Sequence, residues 1–302
     1  MNGCALAFSE RTYRRARTAP DARLAIGSEA HKRLFCRALL DTFDPYHPPV
    51  LDWPPPDEET RDRLVRLPIW DIAAQTEGKA GLRVKTYGET ISDPLLARAV
   101  ALNAFEEGRH KHVLANLVEA CAIALAPKPE FVKPRDPEWA FMVTGYTECV
   151  DSFFAFGLFE TARRSGFFPP QLVDTFEPVM QEEGRHILFF VNWAAWHRRN
   201  LSFWRRTLFD LKRLAVWAFL VFERLSLARD VNGNTHDHNF TVSGANQIGV
   251  DISIRELLDI CLAENDRRLG IYDRRLLRPR AVPGIVRLAR RFLRRSPPFA
   301  RA

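Results

Sequence analysis

The string Glu-Glu-Gly-Arg-His occurs twice in this chain, at Glu106–His110 and Glu182–His186. In each copy the second acid, Glu107 or Glu183, stands three residues before the histidine, His110 or His186. On a helix this spacing puts carboxylate and imidazole on one face, a turn apart. That face is the apolar one. Around the first copy it runs Leu96, Val100, Asn103, Glu107, His110, Leu114, Leu117, Cys121; around the second, Phe176, Val179, Glu183, His186, Phe190, Trp193. A carboxylate inside an apolar stripe is costly unless it is paired or binds a metal. The structural alternative is a helical bundle in which these acids pair only with arginine and histidine.

Helical periodicity dominates the chain, and strand signals are few. Ser92-Asp93-Pro94 and Arg135-Asp136-Pro137 each read as an N-cap followed by proline in the first turn. With a break at Gly166–Pro170, the pattern predicts long helices near 60–91, 93–126, 137–165 and 170–200, paired antiparallel by short connections. Two Glu-x-x-His helices supply half of a carboxylate-bridged two-metal site; the other half is one glutamate from each remaining helix. Glu77 lies 30 residues before Glu107 and Glu148 lies 35 before Glu183, with a turn roughly midway in each case. Each therefore reaches the depth of its partner motif. Glu89 and Glu160 stand too close to the turns. Glu106 and Glu182 point about 100° around their helices, where each can accept the free ring N–H of the opposite histidine, Glu106 from His186 and Glu182 from His110. Arg109 and Arg185 can pair with the same acids. Gly108 and Gly184, costly in a helix, suggest close helix approach.

On these residues, the segment 60–200 resembles the ferritin-like non-haem diiron carboxylate proteins, and the doubled EEGRH is most similar to the paired motifs of soluble acyl-carrier-protein desaturases. The resemblance implies an all-α fold, a ferritin-like four-helix bundle with additional N- and C-terminal helices. It implies two Fe ions, with Mn able to replace one, and O2 as co-substrate. Glu107 and Glu183 would bridge the irons and be the catalytic carboxylates; Glu77 with His110 would complete one metal and Glu148 with His186 the other. The expected activity is an oxygenase or desaturase acting on a small apolar or acyl-type substrate, with a ferredoxin-like or flavoprotein reductase as electron donor. Ferritin- or rubrerythrin-like iron oxidation or peroxide scavenging, and hydroxylation of tRNA, are the alternatives. Related oxygenases carry a threonine where Asp151 and Ser152 stand. The extra ligating histidine of arylamine N-oxygenases falls on Val179.

The remaining chain divides into 1–59, an N-terminal helix and a proline-rich extended segment; 201–273, accessory helices packing on the bundle; and 274–302, a basic amphipathic tail. Composition refines the tail. The 302 residues carry 44 Lys+Arg against 37 Asp+Glu, but ten arginines and no acid follow Asp273. Residues 1–273 thus hold 34 bases (44 less 10) and 37 acids, and the basicity belongs to the end of the chain. In the tail Ile285, Leu288, Ala289 and Phe292 form an apolar face opposite Arg287, Arg290, Arg291 and Arg294. Such a helix suits an acidic carrier protein or an anionic membrane surface; nucleic acid is disfavoured and a homodimer left open. At 46% hydrophobic and 27% charged the chain is neither disordered nor fibrous. Five scattered cysteines and the lack of an apolar run behind Arg11–Arg17 fit a reducing cytoplasm, with at most peripheral attachment to the inner membrane surface. The His236-Asp237-His238 loop and the calcium-like Asp230–Thr241 stretch are weaker metal candidates, the second lacking its terminal glutamate.

Overall fold

The structure, a computed structural model, describes residues 24–45, 57–65, 70–125, 130–166, 169–230 and 252–293. Among them all regular structure is helical: α1 (Glu29–Leu40), α2 (Glu58–Val65), α3 (Trp70–Gly88), α4 (Pro94–Ala120), α5 (Pro137–Ser165), α6 (Pro170–Asn200), α7 (Phe203–Asp230), α8 (Ile254–Gly270) and α9 (Ala281–Phe292). The proline-rich stretch, the His236–His238 loop, the calcium-like stretch after Asp230 and Arg294 lie outside the described residues.

The starts of α4 and α5 follow the sequence signals. Asp93 and Asp136 sit in extended backbone and accept from the amides of Leu96 and Trp139, with proline in the first turn of each helix. The expected helix over 60–91 is instead two, α2 and α3. The intervening sequence contains Pro68, which has no amide hydrogen to continue a helix. The Trp70 indole N–H, donating to the Leu64 carbonyl at 2.8 Å, ties the two.

Helix α3 runs antiparallel to α4, and α5 to α6. An added Cβ at Gly88 would lie 3.3 Å from Val100, and one at Gly81 would lie 3.4 Å from Glu107, which fixes the register of α3 against α4. In α5 and α6, Gly145 faces Phe190 and Ser152 bonds Glu183. Helix α3 also packs on α5, and α6 on α4. Helix α1 lies along α6, where Phe35 meets Phe189 edge-on and His31 shares a hydrogen bond with Asn192. Helix α8 packs mainly on α5, and α7 lies over α5 and α6 through Tyr146–Trp217 and Trp193–Phe209 ring contacts. No described helix is long and apolar enough to cross a membrane.

Two expectations are corrected. Close helix approach is not at the motif glycines: a Cβ on Gly108 meets nothing within 4 Å, and one on Gly184 meets only Leu269 at 3.5 Å. It falls at Gly145, where an added Cβ would run into the Phe190 ring, and at Gly157, where it would run into Cys261 Sγ. Gly108→Ala should therefore stabilise the protein by up to ~1 kcal/mol through helix propensity, while Gly145→Ala should cost ~1–3 kcal/mol by overpacking; urea melts of the two variants check the signs.

The second correction concerns the segment from 274. It is not simply appended: Leu276, Val282 and Val286 are buried, and Asn192, itself buried in α6, pairs with both the amide and the carbonyl of Leu277. Helix α9 docks by Val282, Pro283 and Val286, leaving the expected apolar face of Ile285, Leu288, Ala289 and Phe292 turned outward.

Candidate metal centre

Helices α4 and α6 bring their motifs face to face, with the His110 and His186 rings 5.6 Å apart. Glu106, Glu107, His110, Glu182, Glu183 and His186 are all buried, as are Arg109 and Arg185. Glu77 on α3 and Glu148 on α5 are half-buried.

The acids preceding the candidate ligands form a crossed layer. His110 Nε2 is 2.8 Å from Glu182 Oε2, and His186 Nε2 is 2.8 Å from Glu106 Oε2, the pairs named by the sequence argument. Arg109 donates to Glu182, and Arg185 to Glu106 at 2.6 Å. Two acids and two arginines cancel, which is what allows four charges to lie out of water. Burial alone would raise Glu106, but the Arg185 charge and the His186 bond hold it down to about 2.

This layer fixes the imidazoles. With each Nε2–H given to a carboxylate, a neutral ring turns a bare Nδ1 lone pair to the other side. His186 Nδ1 then lies 3.0 Å from Glu107 Oε1, and His110 Nδ1 lies 3.2 Å from Glu183 Oε1 and 3.5 Å from Glu77 Oε2. Among the described residues, none of His110 Nδ1, His186 Nδ1 and Glu107 Oε1 has a hydrogen-bond partner. Lone pairs facing carboxylate oxygens in the interior repel unless a proton or a cation comes between them. Burial lowers the pKa of each ring, but the carboxylates on both sides, Glu182 then Glu183 and Glu77 for His110, and Glu106 then Glu107 for His186, outweigh it and raise both well above the ordinary histidine value. Either a second proton or a metal satisfies the geometry. Two donors each ~2.1 Å from one ion and near a right angle lie ~3 Å apart, the spacing found here.

Two groups of donors cluster within 4.8 Å: Glu77, Glu107 and His110, and Glu107, Glu183 and His186. Glu107 belongs to both. Glu148 belongs to neither, although it is near enough that burial and then the charges of Glu107 and Glu183 push its carboxyl well up. Desolvation raises Glu77 to about 7 against the pull of His110. Burial also raises Glu183, but the His110 and His186 rings and Ser152 outweigh it, leaving it below its ordinary value.

The other candidates are engaged elsewhere. Glu160 accepts from Arg163 and Arg164, Glu89 from Lys133, and His197 pairs with Glu138. The His112 ring bonds the Gly108 carbonyl on an exposed face.

Several groups around the cluster were not assigned from sequence. Ser152 donates to Glu183 Oε2 at 3.0 Å, orienting the carboxylate whose other oxygen faces His110. The side-chain oxygens of Asn103 and Thr144 are buried without a hydrogen-bond partner, each one turn before a candidate ligand, Glu107 and Glu148. A polar residue four positions ahead of an acid on a buried stripe was their only trace. Both network arginines also reach the end of α1, Arg109 to the Asp44 carbonyl and Arg185 to the Leu39 carbonyl and Thr42 Oγ1. No sequence signal marks that contact, since the partners lie 65 to 146 residues apart. A polar groove of about 390 Å³ between α1 and Tyr272–Arg275 touches this layer through Thr42 but is not lined by the cluster itself.

No protein-family model, curated protein or solved structure matches the chain. The geometry establishes an all-helical protein with a buried acid–histidine cluster that could hold metal.

Proposed function

We propose that this chain is an oxidoreductase of the ferritin-like diiron type, in which α3–α6 form a four-helix bundle around two irons. It uses O2 and electrons from an external donor, a ferredoxin-like or flavoprotein reductase, to hydroxylate or desaturate an apolar, acyl-type substrate. The observation that carries the metal reading is the pair of bare Nδ1 atoms facing carboxylate oxygens at 3.0 and 3.2 Å inside a buried cluster. The donor chemistry favours iron or manganese, hard oxygen ligands with one imidazole for each ion. Four carboxylates, Glu77, Glu107, Glu148 and Glu183, carry the charge that two divalent ions neutralise.

Bound iron would supply one-electron chemistry towards O2. The chain's own residues do the rest. Glu106 and Glu182 keep the protons on Nε2 of the two histidines and so keep Nδ1 available. Ser152 holds one rotamer of Glu183. The aromatic residues of α5, with Phe141, Phe153, Phe156 and Phe159 buried, keep the interior dry, as oxidation of an unactivated C–H bond requires.

The test is anaerobic loading with Fe²⁺, followed by O2 and a reductant in the presence of fatty-acyl substrates. Substrate-dependent O2 uptake with a hydroxylated or desaturated product seen by mass spectrometry is expected. A ferric mineral without organic product would reject the proposal in favour of iron storage.

Metal affinity should also depend on pH with a definite sign. Glu77, raised from 4.5 to about 7, holds a proton that the ion must displace. Binding of Mn²⁺ should therefore be at least about tenfold tighter at about pH 8 than at about pH 6 from Glu77 alone, with proton release at the lower pH, and the raised His110, His186 and Glu148 act in the same direction. In the metal-free protein the same raised pKa means that Glu77's contribution to stability is fully present below 4.5 and is lost as pH rises through 7.

A further inference from the structure

We propose that the outward face of α7 is a self-association surface on which two copies of this chain pair antiparallel. The proposal is independent of the chemistry at the metal centre. Helix α7 is held to the body by a narrow buried stripe, Phe209, Val216 and Leu220. Its opposite side carries Trp204, Leu208, Leu211, Ala215, Ala218, Phe222 and Leu225, all exposed, with Trp204 at 76% and Phe222 at 67%. A continuous apolar face of this length on a soluble surface marks an interaction site.

Within this face seven positions, 204, 208, 211, 215, 218, 222 and 225, are spaced 4, 3, 4, 3, 4, 3, the repeat of a helix-to-helix seam, and exposed Phe203, Leu214, Phe219 and Val221 widen it on both sides. Along the seam two leucines are followed by two alanines. In an antiparallel pair with its two-fold axis near residue 213, Leu208 meets Ala218 of the second copy and Leu211 meets its Ala215. Trp204 meets Phe222 of the second copy. Each bulky side chain thus faces a small one in the centre, and aromatic faces aromatic at the ends.

Charge fixes the direction. From 203 to 225 only two charged residues are exposed, Arg205 and Glu223. Trp204 and Phe222 are 18 residues apart, five full turns, so they share a line, and Arg205 and Glu223, each one residue further, share one edge. Like edges meet in an antiparallel pair, bringing Arg205 of each copy within a turn of Glu223 of the other. Glu223 also accepts from its neighbour Arg224 at 3.1 Å. The cations bordering the face are already engaged within the same chain: Lys212 with Asp136 and Glu138, Arg198 and Arg213 with Asp210, Arg224 with Asp151, and Arg206 with the carbonyls of Arg198, Arg199 and Leu201. The face itself carries no net charge to offer an anionic bilayer.

Sedimentation velocity of the full chain at low-micromolar concentration should give twice the monomer mass. Leu208→Glu with Leu211→Glu should yield monomer with unchanged far-ultraviolet circular dichroism, since neither side chain is buried. Arg205→Glu and Glu223→Arg should each weaken the dimer several-fold, two pairs being lost in each case, and the double exchange should restore it. A dimer that survives the paired leucine substitutions overturns the proposal, as does a double exchange whose effects merely add. So does a wild-type chain that stays monomeric, whether or not it binds phosphatidylcholine–phosphatidylglycerol vesicles.

Discussion

Replacing Glu107 with alanine should leave the purified protein with almost no bound metal, a larger loss than any other single carboxylate gives. Glu107 is the one residue in both donor groups, and its Oε1 is buried without a hydrogen-bond partner. Glu183→Ala removes a member of only one group and leaves Glu77, Glu107 and His110 together. A graded result is therefore expected, with Glu107→Ala most severe, Glu183→Ala intermediate, and Glu160→Ala without effect, since Glu160 is held by two arginines at the end of α5. Metal analysis of the purified variants reads the order. Thermal melts read the cause. In the metal-free state the raised His186 ring faces Glu107 with a second proton at 3.0 Å, so Glu107→Ala should melt below the metal-free wild type. Wild type should gain ~2.7 kcal/mol when metal is present at about a hundred times its dissociation constant; Glu107→Ala should gain nothing. An acid kept only as a structural ion pair would show the same lower stability without metal, but no metal-dependent gain in the wild type.

Glu182→Leu should unfold far more easily even though Glu182 is not one of the clustered donors. The substitution leaves Arg109 buried without its partner across the interface and removes the acceptor of His110 Nε2. Breaking one member of such a pair costs ~3–5 kcal/mol, which in a chain of this size lowers the melting temperature by roughly 10 °C. The double substitution Glu182→Leu with Arg109→Met removes both charges and should recover much of that loss. Metal affinity should stay 10–100-fold down in the double variant, because His110 still lacks the group that fixes its tautomer. Recovery of both properties together would mean that the layer acts only through packing.

How much of this was legible beforehand depends on the range of each interaction. The i,i+3 pairing of Glu107 with His110 and of Glu183 with His186 is local, and helix geometry alone puts the pairs on one buried face. The crossed contacts of Glu106 with His186 and Glu182 with His110 followed because the duplicated string forces like offsets on facing helices. The depth of Glu77 followed from counting residues about a turn, and the Gly81–Glu107 contact shows that register. The same count for Glu148 placed it near the cluster's charges but not within either donor group, because rotation about the α5 axis, unlike depth, is not set by residue number. Helix ends were read well where aspartate and proline mark them and poorly at Pro68, where a single helix was drawn through a breaker.

The sequence by itself determined that this chain is helical and that its two repeated motifs put acid and imidazole on buried faces. Both properties arise from contacts within a few residues. Tertiary structure alone decided which atoms are left bare. The choice of Nδ1 over Nε2 depends on an acid contributed from a helix some 70 to 80 residues away. Tertiary structure also decided the fate of the apolar stripes on α7 and α9, since periodicity gives a stripe but not its partner. Most of the outer face of α7 is left uncovered by the described residues, and the first turns of α9 are drawn into the core by Val282 and Val286 while its predicted face looks outward.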